Sequence, residues 1–221
     1  MFGALRSGTT LFRLILDCHE GLANPGETDF LLDHIHPDPS HPTGWRYDRE
    51  ALAKDRIFRM RAIPCPAELD GLDLMSAMIA ALAGKAPGRR LVLVFHRNAS
   101  KIAQLLTDVL VLHLLRDPRD VARSSIGMGW AGNSYFGVRH WLETERDWDA
   151  ADLPAKRVLT VRFEALMVDI ETELRRVCDF VGVPYSASML RYPETTTYGP
   201  PDPRIAEQWR RKAGVREIQR I

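Results

Sequence analysis

The chain has 221 residues, enough for one domain with a sizeable buried core. Its 45% apolar and 27% charged content is that of an ordinary globular protein. A net charge of +1 excludes the broad basic surface of a general nucleic-acid binder, and no apolar run approaches a membrane span.

Nothing at the N-terminus resembles a signal peptide, so a cytoplasmic location without membrane attachment is expected. Cys18, Cys65 and Cys178 are an odd number without metal-ligand spacing. Cys18 and Cys178 fall on apolar helical faces, which points to buried thiols in a reducing compartment.

In chain order, Phe2–Ala4 reads as the end of a first strand, shortened at its start. Gly3 and Gly8 then stand five apart and Thr9-Thr10 follow, the frame of a phosphate-binding P-loop with Thr9 in the lysine's place. The amides of Gly8, Thr9 and Thr10 open a helix, and its positive end makes an anion site. Arg6, inside the loop, supplies the missing cation as a fork suited to phosphate or sulfate oxygens. A bare structural turn is the alternative reading.

Leu11, Leu14, Ile15 and Cys18 recur at i, i+3, i+4 and i+7, an amphipathic helix. Ala23-Asn24-Pro25-Gly26 breaks it. Residues 33–47, with His34, His36 and His41 among prolines, read as a loop at the entrance to a binding site. Those histidines match no zinc spacing, and no metal is expected.

Helical patches follow at 48–59 and 70–83, then a strand over 89–95, apolar enough to be buried on both faces. His96 sits at the end of that strand, where ligands bind in open α/β sheets. A helix over 99–106 leads to a strand over 109–115. Asp117-Pro118 starts the next helix. Residues 135–148 read as a helix, 157–163 as a strand, and Leu174, Val177, Cys178 and Val181 as a helical stripe closed by Gly182. Asp202-Pro203 begins a last helix, unfinished at Ile221. Without repeats or linkers, residues 1–221 read as one α/β domain, a parallel β-sheet flanked by helices.

The stretch Arg116-Asp117-Pro118-Arg119-Asp120 and Ser124 complete the pattern. Together with Arg6-Ser7-Gly8-Thr9-Thr10 it resembles the sulfotransferases that use 3′-phosphoadenylyl sulfate (PAPS). The likeness continues through Gly129-Trp130, Val161-Arg162-Phe163-Glu164 and Tyr198-Gly199-Pro200. It implies a P-loop-like sulfotransferase fold, with PAPS as co-substrate and no metal. Arg6, Ser7, Gly8, Thr9 and Thr10 would hold the 5′-phosphosulfate, and Arg116 and Ser124 the 3′-phosphate. Arg210, Arg211 and Lys212 match a late basic cluster that closes on the same phosphate, with a solvated helix face as the alternative. Tyr198 stacks on adenine or the acceptor, or belongs to the core.

Glu27, in Pro-Gly-Glu-Thr, matches the family's glutamate base, and a helix-end carboxylate is the bland reading. His96 stands where the family often has a lysine and is the rival base. The acceptor is a hydroxyl or amine on a small molecule, glycan or peptide. The competing readings are a nucleotide kinase on a degenerate P-loop and a non-catalytic nucleotide-binding remnant.

Overall fold

Strands whose side chains are apolar on both faces need helices above and below them, and this chain supplies both layers. A computed structural model describes residues 1–212 and 214. The elements in order are α1 (Thr9–Asp17), β1 (Leu22–Ala23), α2 (Phe30–Asp33), β2 (Ile35–Pro37), β3 (Trp45–Tyr47), α3 (Arg49–Lys54), α4 (Arg56–Arg61), α5 (Gly71–Gly84) and β4 (Arg90–Leu91). Then come α6 (Ala99–Leu105), β5 (Val111–Leu115), α7 (Pro118–Gly127), α8 (Ser134–Gly137), α9 (Arg139–Ala150), β6 (Val158–Arg162), α10 (Phe163–Val168), α11 (Ile170–Val181), α12 (Tyr192–Thr195) and α13 (Trp209–Lys212).

Two parallel pairs make the sheet: β1 with β4, and β5 with β6 from Val111↔Val158 to Leu115↔Arg162. The first residues join them. Phe2 bridges Phe95 on one side and His113 on the other, so the strand order is β1, β4, the N-terminal segment, β5, β6. Phe2 N–H donates to Leu112 O, Leu114 N–H to Phe2 O, Gly3 N–H to Phe95 O and Phe95 N–H to Met1 O. The Met1 ammonium donates to Leu93 O at 2.7 Å. Beyond Met1 the two halves diverge around a largely apolar cleft of about 370 Å³ lined by Leu91, Leu93, Leu110 and Leu112 among others.

One face of the sheet carries α1, α10 and α11 over Phe12, Leu16, Leu114, Val161 and Val177. The other carries α2 to α6 over Phe2, Phe30, Leu52, Met78 and Phe95. Trp148 of α9 completes this layer, its ring 5.1 Å from Phe2 and 4.0 Å from His113.

The α/β class and the flanked parallel strands agree with the sequence reading. Several boundaries do not. Residues 33–47 contain the antiparallel hairpin β2–β3, in register Ile35↔Tyr47 to Pro37↔Trp45, where a loop was expected. Its pairing is set by Asp70, which accepts from Tyr47 N–H and caps α5 through Gly71 N–H. Asp55 accepts from Phe58 N–H and splits the 48–59 patch into α3 and α4. The expected helix over 135–148 is two, α8 and α9, meeting at Val138. The last helix is also interrupted: a 3₁₀ turn at Pro203–Ile205 precedes α13, and its expected continuation to Ile221 lies outside the described residues. Cys178 is buried as expected, Cys18 is half-buried at the end of α1, and Cys65 is exposed.

Candidate active site

The loop between the first segment and α1 turns tightly. Ser7 N–H donates to Ala4 O, and Phe12 N–H to Gly8 O, so the turn runs directly into the helix. Arg6 and Gly8 take left-handed angles, φ 72° and 97°. At Gly8 a side chain has no room, since a Cβ would stand 2.5 Å from the Phe163 ring. The opening of α1 lines a cavity of about 160 Å³, where Arg6, Gly8, Thr9 and Thr10 meet Arg116 and Ser124. Phe163, Tyr198 and Ile205 close it.

Arg6 Nε donates to Ser124 Oγ at 3.0 Å across 118 residues of sequence. Arg116 Nη1 donates to the Arg6 carbonyl at 3.1 Å. The two sequence motifs therefore converge on one cavity, and the Arg6 side chain is turned toward Ser124. Arg116 is 9% exposed, lies 4.2 Å over the Phe163 ring and is 3.9 Å from Asp120. Burial pushes its guanidinium below the usual value, while Asp120 and Glu164 draw it back up.

Among the described residues, Arg116 Nε and Ser7 Oγ are buried without a hydrogen-bond partner. Buried polar atoms are ordinarily paired, so the donor left over on Arg116, in the cavity wall, fits an anionic ligand; Ser7 does not line the cavity.

A second buried group adjoins the loop. His96 Nδ1 lies 2.8 Å from Asp29 Oδ2, and His96 N–H donates to Asp29 Oδ1 at 2.7 Å. The other ring nitrogen, Nε2, is 3.0 Å from Thr9 Oγ1. Sequence reasoning picked out His96 but not Asp29. Among the acidic residues near Glu27, nothing local distinguishes the one that reaches residue 96.

Glu27 is half-buried and paired with Val94 in a parallel bridge; it does not line the Arg6–Arg116 cavity. The helix-end reading of Glu27 is overturned, because α2 starts three residues later at Phe30. Its charge acts instead on Arg61, whose guanidinium packs over Gly26 beside Arg13.

Tyr198 reaches the cavity, while Arg210, Arg211 and Lys212 do not line it. Those three are exposed on α13 and bonded locally, to Glu207, to the Arg204 carbonyl and to Gln208. Trp209 is buried, its main-chain N–H donating to Asp120 Oδ1 and its ring 3.5 Å from the Arg119 guanidinium.

His34, His36 and His41 do not converge: His34 pairs with Asp55 and His41 with Thr43. Asp33, His34 and Asp55 have ligand-type atoms within 4.8 Å of one another. Their atoms are already engaged, Asp33 by Arg97 and Asn98 and Asp55 by the start of α4.

A family model described as "Sulfotransferase family" matches residues 1–187. The chain belongs to the sulfotransferase family. Its fold matches the sulfotransferase domain of the Synechococcus PCC 7002 olefin synthase at TM-score 0.70 and 22% identity, covering 99% of this chain and 90% of that one. A sulfotransferase domain from the curacin biosynthetic pathway gives 0.68 at 18% identity, over 95% and 88%. Sulfotransferase STF9 of Mycobacterium avium gives 0.54 at 16% identity, over 91% and 68%. No curated protein matches. Among the described residues, no helix of this sulfotransferase is long and apolar enough to cross a membrane.

Proposed function

We propose that this sulfotransferase moves a sulfuryl group from PAPS to a hydroxyl or amine acceptor and releases adenosine 3′,5′-bisphosphate. The observation that carries the reading is the single cavity joining the Gly8–Thr10 helix opening to Arg116 and Ser124. The amides of Gly8 to Thr10 receive the 5′-phosphosulfate. Arg116 and Ser124 hold the 3′-phosphate, and Arg6, between them, serves both groups. In the transfer a bond forms from the acceptor oxygen or nitrogen to sulfur, and the sulfur–oxygen bond to the phosphate breaks. Glu27 takes the acceptor's proton. It is preferred to His96 because both ring nitrogens of His96 already have partners, whereas among the described residues none hydrogen-bonds to the Glu27 carboxylate.

Calorimetry in the presence of a metal chelator tests the donor half. Adenosine 3′,5′-bisphosphate should bind more tightly than 5′-AMP. Arg116→Ala should weaken the bisphosphate by about 1.5–3 kcal/mol, the worth of a charge-assisted contact, and leave 5′-AMP nearly unchanged. Equal affinities for the two nucleotides in the native protein would sink the 3′-phosphate assignment.

A further inference from the structure

We infer that His96 is a proton switch for the anion loop: its protonation turns the Thr9 hydroxyl toward the donor nucleotide, and binding the nucleotide takes up a proton there. The inference rests on the proposal that the nucleotide's anionic group sits at the Gly8–Thr10 loop.

The three groups form an almost closed line. Asp29, His96 and Thr9 are 8%, 3% and 5% exposed, so water competes little for their hydrogen bonds. Asp29 accepts from the His96 main-chain N–H through one oxygen and faces Nδ1 through the other. A carboxylate only accepts, so Nδ1 must carry the proton in either ionisation state. All the freedom is left at Nε2, which faces Thr9 Oγ1 at 3.0 Å.

With neutral His96, Nε2 is a lone pair and the Thr9 hydroxyl must donate to it. The hydroxyl then presents only lone pairs to the cavity, an orientation that repels an anion. With the imidazolium, Nε2–H donates to Thr9 Oγ1. The hydroxyl proton is then free to point into the cavity that Thr9 shares with Arg6 and Arg116. An anion favours the second arrangement, and linkage requires that it then raise the proton affinity of His96.

The charged surroundings are compatible with this. Asp29 supports the imidazolium directly. Arg97 Nη1 is 4.0 Å from Asp29 Oδ1, but Arg97 is also held by Asp33, which offsets its charge. From α1 the ring meets Thr9, and from α9 the His96 carbonyl receives the Thr144 hydroxyl, a neutral group.

The test is calorimetry of adenosine 3′,5′-bisphosphate between pH 5.5 and 8.5, in buffers of differing ionisation enthalpy. The phosphates of the nucleotide also titrate here, so His96→Gln is the reference; its amide still donates to Thr9 but cannot titrate. Around neutral pH the native protein should take up about half a proton more per nucleotide than His96→Gln, the amount a tenfold linkage carries. Its affinity should fall about tenfold or more toward pH 8.5, against a flatter profile for the variant.

Thr9→Val should bind about as weakly at pH 6 as the native protein does at pH 8.5. Nitrogen-15 spectra should show Nε2 becoming protonated on binding. Matching proton uptake and matching pH profiles in native protein and His96→Gln would overturn the switch. Absence of binding at every pH, in folded native protein, would overturn the nucleotide reading beneath it.

Discussion

At the scale of single residues, the proposed chemistry depends on which group is free to act. Glu27 is half-buried with no hydrogen bond on its carboxylate among the described residues, and Glu27→Gln preserves its shape while removing the base. Transfer from PAPS should fall about 10²–10⁴-fold with nearly normal binding of adenosine 3′,5′-bisphosphate. Full activity in the folded variant would move the base elsewhere. Gly8 tests the loop differently. Its φ of 97° and the Phe163 ring 2.5 Å from a would-be Cβ leave no tolerated substitution. Gly8→Ala should lose about 1–3 kcal/mol in chemical denaturation together with nucleotide binding. Loss of neither would mean the loop rearranges freely. Cysteine reactivity separates by burial: desolvation raises the Cys178 thiol above its ordinary value, whereas Cys65 is exposed. Alkylation in native buffer should label Cys65 well before Cys178, read by peptide mass.

At the scale of elements, some of this architecture is legible in sequence and some is not. The glycine-threonine loop and the Arg116–Ser124 pair can be read because each chemistry sits within ten consecutive residues. The amphipathic stripes of α1 and α11 can be read because burial imposes the helical period. The β2–β3 hairpin cannot: its strands are three residues long, proline-rich at the turn, and held by Asp70 from a distant segment. Asp29 is hidden for the same reason, since its partner lies 67 residues away. The segment carrying α8 is informative in another way. Trp130, Tyr135 and Phe136 are all more than half exposed, Trp130 lies 5.4 Å from the Arg6 guanidinium, and His140 Nε2 is 3.1 Å from the Leu5 carbonyl. Aromatic groups left in water beside the loop suit an acceptor with an apolar body. Once an acceptor is found, Trp130→Ala should raise its KM several-fold, with little change in affinity for adenosine 3′,5′-bisphosphate. An unchanged KM would remove this segment from the acceptor path.

At the scale of the whole molecule, the sheet is two parallel pairs sewn together by Met1 to Gly3. In protein prepared to begin at Met1, the sewing starts with an amino group buried against Leu93 O, and burial pushes that amine from 8.0 down to about 5. The fold therefore prefers the neutral amine, while the unfolded chain keeps its proton up to the ordinary value. Between those limits the unfolded state binds more protons, so stability should drop as the pH falls from 8 to 5, by up to about 4 kcal/mol. The drop should be concentrated at the seam: amide hydrogens of Phe95 and Leu114 should exchange faster at pH 5.5 than at pH 8 once intrinsic rates are divided out. Two apolar residues placed before Met1 would turn the ammonium into an amide. By the register of Met1 and Phe2 they would continue toward Leu91 O, Leu93 N–H, Leu110 O and Leu112 N–H. That extended protein should melt higher and lose the acid sensitivity. In protein beginning at Met1, the cleft beyond that residue thus makes the joining of the two halves of the sheet sensitive to one proton.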